Sequence, residues 1–268
     1  MVDQPIIMGV LNITPDSFSD GGLFFEAQSA IDQAVLMVEQ GADIIDIGGE
    51  STRPGAPEVS AEDELKRVLP VIEALSGNID VPISIDTSKP VVMRRAFDAG
   101  ASIINDVYAL RSEGALEMAA SLGADVCLMH MQGNPRTMQK NPKYDDVVSD
   151  VKFFFTERLE ACSGVGIKLE SITLDPGFGF GKNLAHNIAL LKNLAEFHDF
   201  GVSILAGLSR KSMIGSLLGD KEVDSRMIGS VTAALIAVEN GANIIRAHDV
   251  AETKDALTVW QQIKHFRE

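Results

Sequence analysis

Polar and ionisable side chains recur at one kind of position in this chain, the end of a short apolar run. In order they are Asn12, Asp46, Asp86, Asn105, His130, Asp175, the triplet Ser209-Arg210-Lys211, and then Arg246 and His248. Asp and Asn match the donors and acceptors along the edge of a flat, amide-like heterocycle. Arg53, Lys211, Arg246 and His248 supply positive charge for phosphate oxygens, each arginine presenting a planar fork. The mixture predicts a ligand with a hydrogen-bonding ring and an anionic tail. Singly, Asp86, Asn105 or Asp175 could instead cap the helix that follows. As a set they fit that role poorly, because gathered polar groups are costly to desolvate without a polar guest.

Gathering them requires a scaffold, and a recurring phrase supplies it. Gly41-Ala42-Asp43-Ile44-Ile45, Gly100-Ala101-Ser102-Ile103-Ile104, Gly123-Ala124-Asp125-Val126-Cys127 and Gly241-Ala242-Asn243-Ile244-Ile245 are variants of one pattern. Each glycine follows an amphipathic stretch and suits a left-handed residue closing a helix. Each precedes a β-branched run of the kind that forms a buried strand. Extending the pattern predicts strands at 6–11, 44–48, 82–86, 102–106, 126–130, 172–175, 203–207 and 244–247. Helical periodicity fills 26–40, 61–75, 91–99, 115–122, 145–162, 183–196, 224–240 and 252–266. Eight alternating units in 268 residues match the length of an α/β fold of the (β/α)8 TIM barrel type, as a single domain over residues 1–268. The competing reading is an open doubly wound sheet, which usually holds fewer strands and carries a dinucleotide loop. Long connections at 12–25, 50–60 and 131–144 all follow strand C-termini, where barrels of this kind hold their active sites.

Composition narrows the partners. The chain is 46% hydrophobic and 23% charged, ordinary for a globular protein. Its 23 basic and 38 acidic residues leave a net charge of −15, so nucleic acid and anionic membrane surfaces are poor partners. No apolar run reaches the roughly 18 residues of a membrane span. No secretory signal is visible, and the two cysteines, Cys127 and Cys162, suit a reducing cytoplasm. Several motifs fail on inspection. Gly177-Phe178-Gly179-Phe180-Gly181-Lys182 looks like a phosphate loop, yet Pro176 and Asn183 break the Walker pattern and the glycine spacing breaks the dinucleotide one. His186 and His198 read as surface residues, Tyr108 and Tyr144 lack a supporting constellation, and no spacing supports zinc or a nucleophilic serine.

The segments Gly9-Val10-Leu11-Asn12-Ile13-Thr14-Pro15-Asp16-Ser17-Phe18-Ser19-Asp20-Gly21-Gly22, Gly48-Gly49-Glu50-Ser51-Thr52-Arg53-Pro54-Gly55, Ser84-Ile85-Asp86-Thr87, 175–182, 207–212 and 246–249 closely resemble the pterin-binding barrel family. The likeness runs in order from about residue 6 to 250. It implies the branch that condenses dihydropterin hydroxymethyl pyrophosphate with p-aminobenzoate, forming dihydropteroate for folate synthesis and releasing pyrophosphate. It further implies a sulfonamide target, a Mg²⁺ cofactor held through Asn12, and a cytoplasmic homodimer. Carried over by motif, Asp86, Asn105, Met129, Asp175 and Lys211 would hold the pterin. Asn12, Arg246 and His248 would meet the pyrophosphate, and Thr52, Arg53, Pro54, Phe180 and Ser212 the p-aminobenzoate. Asn12, Asp16, Arg53, Asp86, Lys211, Arg246 and His248 would take part in catalysis, Asp16 by covering the developing cation. Two other readings share the resemblance: methyl transfer from a methyltetrahydrofolate to a corrinoid partner, and a silent paralogue that only binds pterins.

Overall fold

A computed structural model of the chain describes residues 4–13, 22–53 and 55–266, with the backbone alone for 22–26. Asp16 and Pro54 lie outside the described residues. Eight parallel strands close into a barrel in sequence order: β1 Ile6–Asn12, β2 Ile44–Gly48, β3 Ile83–Asp86, β4 Ile103–Asp106, β5 Asp125–Met129, β6 Ile172–Asp175, β7 Ser203–Ala206 and β8 Ile244–Ala247. β8 returns to β1 with Ile6 opposite Ile244, which excludes the open sheet.

Around the barrel lie α1 Gly22–Glu39, α2 Ala61–Leu75, α3 Pro90–Ala99, α4 Ala115–Leu122, α5 Val147–Gly164, α6 Leu184–Lys192, α7 Ser212–Leu217, α8 Met227–Glu239 and α9 Val250–Lys264. Local chemistry sets their ends. Ser60 and Asp146 accept the backbone N–H of Asp63 and Ser149 at the starts of α2 and α5. Gly41 and Gly241, at φ 97° and 106°, turn the chain into β2 and β8 as the repeated phrase requires.

The differences from expectation are local. The helix predicted over 183–196 ends at Lys192, and a 3₁₀ segment, Leu194–Phe200, completes the stretch. α7 was not expected; it follows β7 directly and begins one residue after Lys211. β5 stops at Met129, so His130 lies just past the strand.

Strand geometry explains why the polar residues share one end. Alternate residues face the barrel interior. At the lower level Met8, Ile44, Cys127, Leu205 and Ile244 form a compact apolar plug, with Ile103 packed against it. Two residues further along β2, β4 and β8, the same interior face carries Asp46, Asn105 and Arg246. The outer faces of the strands join the larger core beneath the helices, where Ile7, Ile45, Ile47, Ile85 and Ile104 are fully buried. The plug closes the floor and the polar level opens at the C-terminal mouth.

Candidate active site

At the mouth, charge is arranged around Arg246. Its Nε donates to Asp46 Oδ2 at 2.7 Å and a terminal nitrogen donates to Asp86 Oδ2 at 2.9 Å. Asn105 Nδ2 donates to the same Asp46 oxygen at 3.0 Å. Four strands, β2, β3, β4 and β8, are thus joined through side chains distant in sequence. Burial pushes the Asp86 carboxyl above the usual carboxylate range and Arg246 pulls it back, while Asp46 pushes it further up. Arg246 stays cationic, held above its ordinary value by Asp46 and Asp86 against the effect of burial.

Asn12 ends β1 on the same level. It is in register with Gly48, and Gly48 with Asp86. A Cβ at Gly48 would meet Asp86 Cβ at 3.5 Å and Asn12 Oδ1 at 3.7 Å, so the bare glycine lets the two side chains approach.

Lys211 sits beside Arg246, on the turn between β7 and α7: a Cβ at Gly207 would meet Lys211 Nζ at 3.7 Å and Arg246 Cβ at 3.8 Å. Its Nζ donates to the Phe178 carbonyl and lies 4.7 Å from the centre of the Phe180 ring. Burial lowers this ammonium to about 8, against the attraction of Asp175. Asp175 Oδ1 accepts the Gly177 N–H at 2.8 Å, and burial raises its carboxyl while Lys211 lowers it. Phe180 packs on Val107, Met129, Met131 and Met138, which make an apolar wall beside these polar groups. Ser212 opens α7 next to Lys211.

His248 closes the ring. Its Nδ1 lies 3.0 Å from Ser209 Oγ, which also accepts the His248 N–H at 3.2 Å. Burial lowers its pKa to about 4, and the charges of Arg246, Arg210 and Arg53 add to that fall. Three arginines therefore project positive potential onto one neutral imidazole, an environment suited to an anion. Arg210 is itself engaged by Asp249, with Nε donating to Oδ2 at 3.1 Å.

Thr52 and Arg53 sit on the loop after β2. Thr52, with Asp86, Thr87, Val107 and Tyr108, lines a cavity of about 560 Å³ between the loops that follow β2, β3, β4 and β5. The structure thus unites Asn12, Asp86, Asn105, Asp175, Lys211 and Arg246 around the mouth, with Met129 and Phe180 in its wall. It places Thr52 at the neighbouring cavity. None of Asp86, Asn105 and Asp175 caps a helix; the residues at those positions are others, such as Lys89 before α3. His130 departs from the expected ring: it is 6% exposed and turned beneath the loop after β6, against Lys182.

Asp46 and Lys182 are buried polar residues to which the sequence assigns no individual contact. Asp46 was visible as a strand end; its partnership with Arg246 spans 200 residues and has no local signal. Tyr144, dismissed as isolated, donates to the Gly181 carbonyl at 2.8 Å.

A closed barrel whose mouth pairs carboxylates and amides with a cluster of cations defines an enzyme built for a charged heterocycle. Residues 8–248 match the family described as pterin binding enzyme, and the chain belongs to that family. It is 58% identical over 257 residues to the dihydropteroate synthase of Haemophilus influenzae, covering 96% of this chain and 93% of that one. The dihydropteroate synthase of Yersinia pestis in complex with a sulfonamide drug superposes with a TM-score of 0.93 at 52% identity, covering 98% of this chain and 95% of that one. That of Xanthomonas albilineans with 4-aminobenzoic acid gives 0.94 at 50% identity, covering 99% and 95%.

Proposed function

We propose that the barrel mouth is a dihydropteroate synthase site, a transferase centre that joins dihydropterin hydroxymethyl pyrophosphate to p-aminobenzoate and releases pyrophosphate. The observation that carries it is the polar ring in which Arg246 links Asp46 to Asp86, with Lys211 beside Arg246 and held over Phe180. The dihydropteroate synthases it resembles along nearly their whole length support the same reading.

In this reading Asp86, Asn105, Asp175 and Lys211 hold the pterin edge, with Met129 against its face. Carboxylates matched to ring N–H groups reject rings that lack them. Asn12, Arg246 and His248 meet the diphosphate. Thr52, Arg53, Pro54, Phe180 and Ser212 form the p-aminobenzoate pocket, where a sulfonamide would compete. The C–O bond of the hydroxymethyl group breaks with its electron pair leaving on pyrophosphate. The amine nitrogen then forms the new C–N bond and gives up one proton. Arg246 and the charges around His248 stabilise the departing anion, and the carboxylates near the ring favour the developing cation. Positioning of the weakly basic amine does the rest. Asp16 is assigned to cover that cation.

Among the described residues no group of three or more His, Cys, Asp or Glu side chains could hold a metal. Asn12 offers a single hard oxygen beside Asp86, which fits Mg²⁺ only in the mode where substrate phosphates complete the shell. The ion would add charge neutralisation for pyrophosphate.

The whole chain, 1–268, is assigned to one pterin-binding domain. Ile228 and Ile236, exposed on α8, are offered as part of a homodimer face. Cys127 and Cys162 are buried and free, in keeping with a reducing cytoplasm. Among the described residues no helix is long and apolar enough to cross a membrane.

The test is incubation with dihydropterin pyrophosphate, p-aminobenzoate and Mg²⁺, followed by detection of dihydropteroate and pyrophosphate. Pterin binding without condensation would favour the silent paralogue, and methyl transfer to a corrinoid would favour the other reading.

A further inference from the structure

Lys182 is 2% exposed, and the hydrogen-bond partners of its ammonium among the described residues are uncharged groups. Its Nζ lies among four acceptors: His130 Nδ1 at 2.9 Å, the Gly177 and Phe180 carbonyls at 3.0 Å each, and the His130 carbonyl at 3.3 Å. Burial pulls its ammonium well below the ordinary lysine value while Asp175 opposes the fall. Burial and Lys182 together keep His130 neutral, its pKa near 2. A buried amine held this way is costly to desolvate and has no evident place in binding or chemistry.

What it holds is the loop after β6. Two of the carbonyls that face Lys182, those of Gly177 and Phe180, flank the Phe178 carbonyl that receives Lys211 Nζ. The same loop sets the Phe180 ring beneath that ammonium, and a Cβ at Gly179 would stand 3.2 Å from the Lys211 chain. Further ties act on the same segment: Tyr144 Oη to the Gly181 carbonyl at 2.8 Å, and the Gly179 N–H to Asn187 Oδ1 at 2.7 Å. The backbone has no slack to absorb a change. Gly177 is left-handed at φ 71°, and a Cβ there would lie 1.9 Å from the His130 carbonyl oxygen.

We propose that Lys182 is a positioning residue: by clamping carbonyls 177 and 180 inward it turns the Phe178 carbonyl and the Phe180 ring outward, and these hold Lys211 Nζ at the mouth. The proposal rests on the assignment of Lys211 to the pterin site. Lys182 never meets substrate, so its effect must pass through Lys211.

The experiment is a double-mutant cycle on the full chain, reading the dissociation constant of dihydropterin pyrophosphate by calorimetry without p-aminobenzoate. Lys182→Met, Lys211→Met and the double variant are compared with the parent, with Tm measured in parallel. Lys182→Met is expected to weaken binding roughly tenfold, and most of that loss should vanish in the Lys211→Met background. A lower Tm with unchanged binding would overturn the proposal and leave the site reading intact, as would an equal further loss in the Lys211→Met background. Unaltered binding by Lys211→Met alone would overturn both. Should Lys182→Met fail to fold, Tyr144→Phe, which loosens the same loop from its outer side, takes its place in the cycle. A smaller loss of the same kind supports the clamp, and unchanged binding refutes it.

Discussion

At the scale of single residues, the mouth is an electrostatic balance around one guanidinium. Asp46 is fully buried and shares Arg246 with Asp86, and among the described residues no other cation pairs with either carboxylate. Arg246→Met would leave two interior carboxylates unpaired, and urea unfolding should record a loss of roughly 3–5 kcal/mol. Asp86→Asn keeps the shape but removes a charge-assisted acceptor, so pterin affinity should fall about tenfold or more with little change in fold. The pH dependence follows from the same groups. Lys211, lowered to about 8, is charged below that pH and neutral above it, so kcat/KM for the pterin substrate should decline as pH rises through about 8. Asp86, raised by burial, takes up its proton nearer neutrality than an ordinary carboxyl, giving a falling acid limb. A Lys211→Met variant that retained the alkaline limb would assign that limb elsewhere. The polar strand ends were legible one by one, because a carboxylate closing a β-branched run is conspicuous. Their pairing was not. Which acid meets Arg246 depends on strand register around a closed sheet, and no sequence window contains that information.

Elements decide how loops reach the site. The loop over residues 50–60 carries Thr52 and Arg53, and a clasp closes its base. Glu50 Oε1 accepts the Val59 N–H at 3.1 Å, and Lys89 bridges Glu50 and the fully buried Glu64, the latter at 2.5 Å. Lys89→Met would leave Glu64 buried without its counter-charge beside a second carboxylate. The expected results are a loss of about 3 kcal/mol in stability and a raised KM for p-aminobenzoate. Lys89→Met, Glu50→Gln should recover part of the KM. An unchanged KM in Lys89→Met would separate the clasp from substrate binding. Four of the helix-to-strand turns were readable from glycine followed by a β-branched run. α7 escaped, because its six residues lie in a connection where no full period of apolar residues develops. Lys182 escaped for another reason: the glycine pattern around it suggested a phosphate cradle, whereas the Gly177 and Phe180 carbonyls turn inward onto its amine.

Over the whole molecule, the barrel separates stability from chemistry. An apolar plug and a helix-covered outer core carry the fold, and the polar level is left to the mouth. The eightfold alternation was legible because period-2 and period-3.6 patterns change over cleanly along the chain. Association between copies was not, since an apolar face on α8 reads alike whether it meets a helix or another subunit. Ile228 is 75% exposed. If it lies in a dimer face, Ile228→Asp should shift the mass in light scattering from dimer to monomer. A parent chain already monomeric at working concentration would remove that assignment.

The central claim is that scattered strand ends form one site for a ring and its diphosphate. A crystal structure with dihydropterin pyrophosphate bound tests it most directly. The ring should lie against Asp86, Asn105, Asp175 and Lys211, with the diphosphate reaching Asn12, Arg246 and His248. A ligand lodged instead in the cavity beside Thr52 and Tyr108, with the diphosphate remote from Arg246, would contradict the account.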